Sequence, residues 1–83
     1  MSPVSNDAIQ AHWERTRKGL LKFVGEQPGP CDLTTLHSHS EREYFVGHRK
    51  FSEMMEELVG EGLLAVDHTS ETASLTDKGR QAL

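Results

Sequence analysis

The sequence predicts an α+β fold that is mostly helical, formed by a single domain over residues 1–83. Three stretches space their apolar residues at a helical period, and a later stretch alternates apolar and polar residues as a β-hairpin does. Glycine and proline residues punctuate the chain between these stretches. The predicted order is therefore a three-helix core, a two-stranded β-hairpin and a short C-terminal helix.

The first predicted helix has an apolar face at a period of 3.6 residues. This face consists of Ile9, Trp13, Leu20, Phe23 and Val24. Ser5 or Asn6 is suited to cap the start of the helix, and Gly25, with the prolines that follow it, marks the end.

The second predicted helix is short. Asp32 or Thr34 is suited to cap its start, and it runs through roughly Ser40. The segment SEREYF, residues 40–45, then predicts a turn from which Tyr44 and Phe45 return toward the core.

The third predicted helix covers residues 46–60 and has the clearest apolar stripe. The stripe consists of Phe51, Met54, Met55, Leu58 and Val59. Gly62 is suited to the left-handed conformation that often follows a helix, and Leu63 to the apolar contact that closes such an end.

Alternation with a period of two follows the third helix. Leu64 and Val66 lie on one face of the first predicted strand, and Ala73 and Leu75 on the same face of the second. After the hairpin, Thr76 is suited to cap a last short helix, which we expect to bury Leu83.

Two segments, MMEELVGEGLLAVD and SLTDKGRQAL, resemble the winged helix-turn-helix family of small bacterial and archaeal regulators. The likeness consists of a Leu-x-x-x-Gly-Leu ending at Leu58 to Leu63 and a Leu-Thr-x-x-Gly-Arg motif at Leu75 to Arg80. The resemblance implies that the hairpin is a wing. It also implies a DNA-binding transcriptional regulator that places the helix at about 46–60 in the major groove.

Carried over position by position, the resemblance predicts a surface that contacts double-stranded DNA. Arg49 is the expected base reader, because its planar fork matches the two acceptors of guanine. The full predicted set is His48, Arg49, Lys50, Ser52, Thr34, Thr35, Arg42 and Arg80.

Other residues favour a different partner. The predicted wing tip, DHTSET, lacks Lys and Arg, and Glu53, Glu56 and Glu57 follow the basic first turn of the third helix. Carboxylates in a groove lined by phosphate are mostly repulsive. The alternative is a winged-helix module that binds another protein through its acidic face without binding DNA. A homodimer is a third expectation, because regulators of this fold often read two half-sites.

Composition limits the remaining classes. The net charge is −4, and the single cysteine, Cys31, has no partner for an internal disulfide. The polar N-terminus and short apolar runs predict a cytoplasmic chain without a membrane span. His37 and His39 would point apart on a helix, so we expect solvated histidines and no metal site. We also expect no cofactor and no enzymatic activity, since no set of side chains has the spacing of a catalytic site.

Overall fold

The computed structural model describes residues 6–83, and their side chains from residue 8 onward. Over this range the chain forms four helices and three strands. They are α1 (Asn6–Gly25), β1 (Cys31–Asp32), α2 (Leu33–Tyr44), α3 (His48–Gly60), β2 (Leu64–Asp67), β3 (Thr72–Leu75) and α4 (Asp77–Gln81). The strands form one antiparallel sheet in the order β1-β3-β2. The prediction of a mostly helical α+β chain is confirmed.

Helix α1 contributes only its C-terminal half to the core. Leu20 and Val24 are buried as predicted, with Leu21 beside them, and Trp13 packs against the core from the side. Ile9 is 57% exposed, so its predicted place on the buried face is wrong. At about 1.5 Å per residue the 20-residue α1 is roughly 30 Å long, against roughly 18–20 Å for the 12-residue α2 and the 13-residue α3. Two residues were predicted to cap the start of α1. Ser5 lies outside the described residues, and so does the side chain of Asn6.

Helix α2 begins as predicted and ends later. The Asp32 side chain accepts a hydrogen bond from the backbone N–H of Thr34, at 3.0 Å, which caps the helix. The helix continues through Tyr44 instead of turning after Ser40. Phe45 then has a left-handed backbone, with φ of 58°, and its side chain is 89% exposed.

The expectation that Phe45 returns to the core is therefore wrong. The left-handed residue reverses the chain, and the next residue, Val46, is buried in its place. Helix α3 starts two residues after the predicted boundary, at His48.

Helix α3 buries the predicted stripe except at one position. Phe51, Met54, Met55 and Leu58 are buried, and Val59 is 41% exposed. Gly62 has φ of +77°. Its N–H donates to Val59 O, and Leu63 N–H donates to Leu58 O, both at 3.0 Å. These two bonds are those of a Schellman ending, which confirms the predicted left-handed glycine.

The hairpin forms where it was predicted, and its register places Leu64 opposite Leu75 and Val66 opposite Ala73. It is not a separate two-stranded unit, because β1 adds a third strand through the pairs Cys31–Ala73 and Asp32–Thr72. Two residues cannot show a strand period in a sequence, so this strand is found only in the structure. It joins the hairpin directly to the start of α2.

Helix α4 packs against the C-terminal end of α3 and the residues that follow it. Thr76 caps it as predicted, because its Oγ1 accepts from the N–H of Gly79 at 3.0 Å. Gly79 is buried against the carbonyl group of Leu63. Leu83 is 62% exposed, so the prediction that α4 buries it is wrong. The helix ends at Gln81, too early to carry Leu83 inward.

Candidate functional site

The N-terminal turn of α3 is an exposed, basic surface. His48, Arg49 and Lys50 are all exposed, and the Arg49 side chain is 91% accessible. Its Nε lies 3.8 Å from Glu53 Oε1, beyond hydrogen-bond distance, so the guanidinium remains open to a partner. The Lys50 ammonium lies 6.0 Å from the centre of the Trp13 ring, on the α1 side of the helix. Of these two cations, Arg49 is therefore the more exposed, with 91% of its side chain accessible against 66% for Lys50.

The backbone at this end of α3 adds to the positive potential. Gly47 precedes the helix and has no side chain with which to cap it, whereas Asp32 caps α2 and Thr76 caps α4. The first turn of α3 also lacks an acidic residue. The first N–H groups of a helix have no partner within the helix, and together they carry partial positive charge. This end of α3 is suited to an anionic oxygen atom.

Three of the eight predicted residues meet in one groove. Thr34 of α2 and His48 and Ser52 of α3 line an open groove of about 680 Å³ between α2, α3 and the hairpin. We call it the α3 groove. Its other lining residues are Leu33, His37, Phe51, Met55, Glu56, Val59, Gly60, Val66 and His68.

The other predicted residues lie apart from this groove. Thr35 is exposed at the start of α2, and Arg42 is exposed in the last turn of the same helix. Arg80 lies on α4, next to the C-terminal end of α3. The 12 residue steps from His48 to Gly60 correspond to about 18 Å along α3, so Arg80 is far from the basic first turn. The structure therefore does not combine all eight residues into one patch.

Two histidines of α2 pack against different helices, which corrects the expectation that they are solvated. His37 lies edge-on to His48 and Phe51 of α3, with ring centres 5.4 and 4.9 Å away. His39 stacks on Phe23 of α1 at 3.9 Å. Their rings thus point apart, as a helix requires. Within residues 8–83, whose side chains are described, no group of three or more His, Cys, Asp or Glu side chains is placed to hold a metal ion.

Sequence reasoning did not place His37 and His68 on the α3 groove. The sequence contains one signal for a histidine on this groove: the helical period of α3 predicts that His48 lies on the side of the helix nearer the core. His37 reaches His48 through the packing of α2 on α3, and His68 reaches the groove through the hairpin. Neither contact leaves a pattern in the local sequence.

One glutamate of the predicted acidic face, Glu57, forms hydrogen bonds within the molecule. Trp13 Nε1 of α1 donates to Glu57 Oε2 at 3.1 Å, and Arg17 donates to the other oxygen of Glu57. Arg17 also donates to both oxygens of Glu61, at 2.7 and 2.8 Å. These hydrogen bonds raise the pKa of Arg17 and lower the pKa of Glu61. Glu57 is therefore a structural residue that joins α3 to α1.

The hairpin turn is ordered by a carboxylate. Asp67 accepts hydrogen bonds from the backbone N–H groups of Thr69, at 2.9 Å, and Ser70, at 3.3 Å. These bonds lower the pKa of Asp67, so the turn keeps a negative charge at neutral pH. The adjacent His68 faces the α3 groove.

Cys31 is buried in the core cluster at 3% exposure. Burial raises the pKa of its thiol, and the nearby Asp32 raises it further. A thiol with a raised pKa and little exposure is a poor nucleophile. This residue packs in the core and does not belong to the candidate site.

Two further findings concern the chain as a whole. Among the described residues, no helix combines the length and apolar character that crossing a membrane requires. Comparisons with models of protein families, with curated proteins and with solved structures gave no match.

Proposed function

We propose that this chain is a cytoplasmic DNA-binding regulator with a winged helix-turn-helix fold. The observation that carries the proposal is the N-terminal turn of α3, which is basic, exposed and without a side-chain cap. Such a turn offers both cationic side chains and backbone N–H groups to phosphate and to base edges.

The order of elements supports this proposal. Helix α2, a short turn and helix α3 are followed by a hairpin whose strand β3 also pairs with β1. In a winged helix-turn-helix the corresponding third helix enters the major groove and the hairpin lies beside it. The resemblance carried by Leu58 to Leu63 and by Leu75 to Arg80 points to the same family.

Each residue of the surface has a distinct proposed role. Arg49 reads guanine, because its exposed guanidinium can donate two parallel hydrogen bonds to the O6 and N7 atoms. His48 and Ser52 lie beside it on the groove side of α3, and Lys50 and Arg42 contact phosphate. Thr34 and Thr35 donate to phosphate from the start of α2. Arg80 lies too far along the molecule to join the same contact and would bind phosphate separately.

Fluorescence anisotropy with a labelled mixed-sequence duplex tests the proposal. If Arg42 and Lys50 each neutralise one phosphate, raising salt from about 50 to about 200 mM weakens binding by about twelvefold. Arg49→Ala should weaken binding by at least about fivefold. Arg15→Ala, which removes an exposed arginine of α1, is the matched control and should change affinity less than twofold.

Two results would contradict the proposal. One is the lack of measurable duplex binding at the lower salt concentration. The other is an equal loss of affinity in the Arg15→Ala and Arg49→Ala variants, because α3 would then have no special role.

A second candidate function is binding to another protein. The observation that favours it is the combination of an acidic hairpin turn with Glu56 on the α3 groove, where the nearby lining is largely apolar. Phosphate would be repelled there, whereas a basic protein surface would be attracted.

A further inference from the structure

The α3 groove has an apolar lining that no described part of the chain covers. Five apolar side chains line it: Leu33, Phe51, Met55, Val59 and Val66. They come from α2, α3 and β2, so three elements contribute to one concave surface. Its volume of about 680 Å³ lies within the roughly 300–1,000 Å³ that is common for binding sites. Val59 is 41% exposed although it belongs to the apolar stripe of α3.

The described lining of the groove carries one carboxylate. Glu56 lines the α3 wall, eight positions after His48 and therefore about 12 Å from the basic first turn of that helix. Arg17 binds Glu57 and Glu61, and Arg49 lies beside Glu53, so neither cation is directed to Glu56. Among the described residues that line the groove there is no Lys or Arg. An anionic group placed beside Glu56 would be repelled, and a cationic one would find complementary charge.

We propose that the α3 groove docks a basic amphipathic helix of a partner protein. The partner's apolar side chains at positions i, i+3, i+4 and i+7 would fill the space above Phe51, Met55 and Val59. Its Lys and Arg side chains would lie against Glu56. Methionine suits such a site, because its flexible thioether adapts to different apolar neighbours.

The length of the groove sets the length of the partner segment. Its α3 wall runs from His48 to Gly60, about 18 Å, which corresponds to about three turns of a docked helix. A segment of about 12 to 14 residues therefore spans the site.

This docking would affect DNA binding if both occur. His48 and Ser52 line the groove and also belong to the proposed DNA surface. A docked helix and a DNA duplex would then exclude each other. The docking itself does not depend on DNA binding, because it rests on the apolar lining and on Glu56.

The test uses a fluorescent synthetic helix of about 14 residues with Leu at positions i, i+3, i+4 and i+7 and Lys and Ala elsewhere. A scrambled peptide of the same composition controls for charge alone. We expect the amphipathic peptide to bind at least tenfold more tightly than the scrambled one in anisotropy titrations. Equal binding of the two peptides would overturn the proposal, and so would the lack of binding at millimolar peptide.

Matched variants of the protein locate the binding. Val59→Lys places a long cation in the groove and should weaken peptide binding at least tenfold. Ile9→Lys adds the same charge at an exposed apolar position of α1 and should change affinity less than twofold. Both parent residues are substantially exposed, so the folded state should persist, and circular dichroism checks it. An equal effect of the two substitutions would contradict docking in the groove.

Measuring the binding of the labelled duplex to the same variants distinguishes this proposal from the proposed DNA binding. If the peptide fails to bind and Val59→Lys changes the affinity for the duplex whereas Ile9→Lys does not, the groove belongs to the DNA surface and the docking proposal is overturned. If the peptide binds with the expected dependence on Val59, the docking stands, whatever the effect of Arg49→Ala on the duplex.

Discussion

Replacement of Gly79 by alanine tests the packing of α4 against α3. A methyl carbon built on Gly79 would overlap the carbonyl oxygen of Leu63 and lie 2.9 Å from Leu75 Cδ2. The first of these neighbours is backbone and cannot move as a side chain does. It also accepts a hydrogen bond from the N–H of Thr76 at 3.2 Å. Alanine at this position must therefore displace α4 or the end of α3.

The expected change in the free energy of unfolding is the sum of two costs and one gain. Overpacking of a close contact costs roughly 1–3 kcal/mol. A shift of α4 would weaken the bonds of Thr76 to Gly62 O and of Lys78 to Glu61 O, at about 1 kcal/mol each. Alanine regains about 0.5–1 kcal/mol from its better helical propensity. We expect a net loss of about 2 kcal/mol, from the total of about 4–12 kcal/mol typical of a chain this long.

Urea denaturation followed by far-UV circular dichroism measures this loss, and the melting temperature should fall by about 8–16 °C. Gly60→Ala is the matched control, because Gly60 is also helical and no described atom lies within 4 Å of an added methyl group. This control should gain about 0.5–1 kcal/mol. If Gly79→Ala proves as stable as Gly60→Ala, the reasoning about the close contact is refuted.

Three further predictions concern other contacts. Arg17→Met should lower the free energy of unfolding by about 1 kcal/mol, because Glu57 then keeps only its hydrogen bond from Trp13. Urea denaturation measures this loss, with Arg15→Met as the control that should leave stability unchanged. Phe45→Gly should raise the free energy of unfolding by about 0.5–1 kcal/mol, since it relieves a left-handed backbone and loses almost no burial; a lower melting temperature would contradict this. The stabilisation from Asp67 is complete above its ordinary pKa of about 3.9 and is lost as the pH falls through its lowered folded value. Acid titration of Asp67→Asn should therefore show a smaller loss of stability than the parent, and equal losses would argue against the turn contacts.

Local features were predictable from the sequence because their causes lie within a few residues. The stripe of Phe51, Met54, Met55 and Leu58 follows from the helical period, and the end of α3 follows from a glycine placed where a side chain resists a left-handed backbone. The cap of Thr76 on α4 spans three residues. The exposed Arg49 was predictable for the same reason, since it lies opposite the apolar stripe.

Features that depend on distant partners were predicted less well. Ile9 and Phe45 are apolar, and apolar character favours burial without saying whether another element lies above the residue. The packing of α1 leaves Ile9 more than half exposed, and the left-handed turn leaves Phe45 exposed. Glu57 belongs to a predicted acidic face, yet its partners Trp13 and Arg17 lie 44 and 40 positions away and draw it into the structure.

The sequence by itself determined where the helices lie to within a few residues, where α3 ends and which hairpin residues share a face. These features depend on backbone preference and on the periodicity of apolar side chains. Only the tertiary structure decided that β1 joins the sheet and that α2 and the hairpin flank α3 to form a groove. The physical reason is that periodicity shows which face of an element is apolar, whereas the packing of distant elements decides what covers that face and what remains open to a partner.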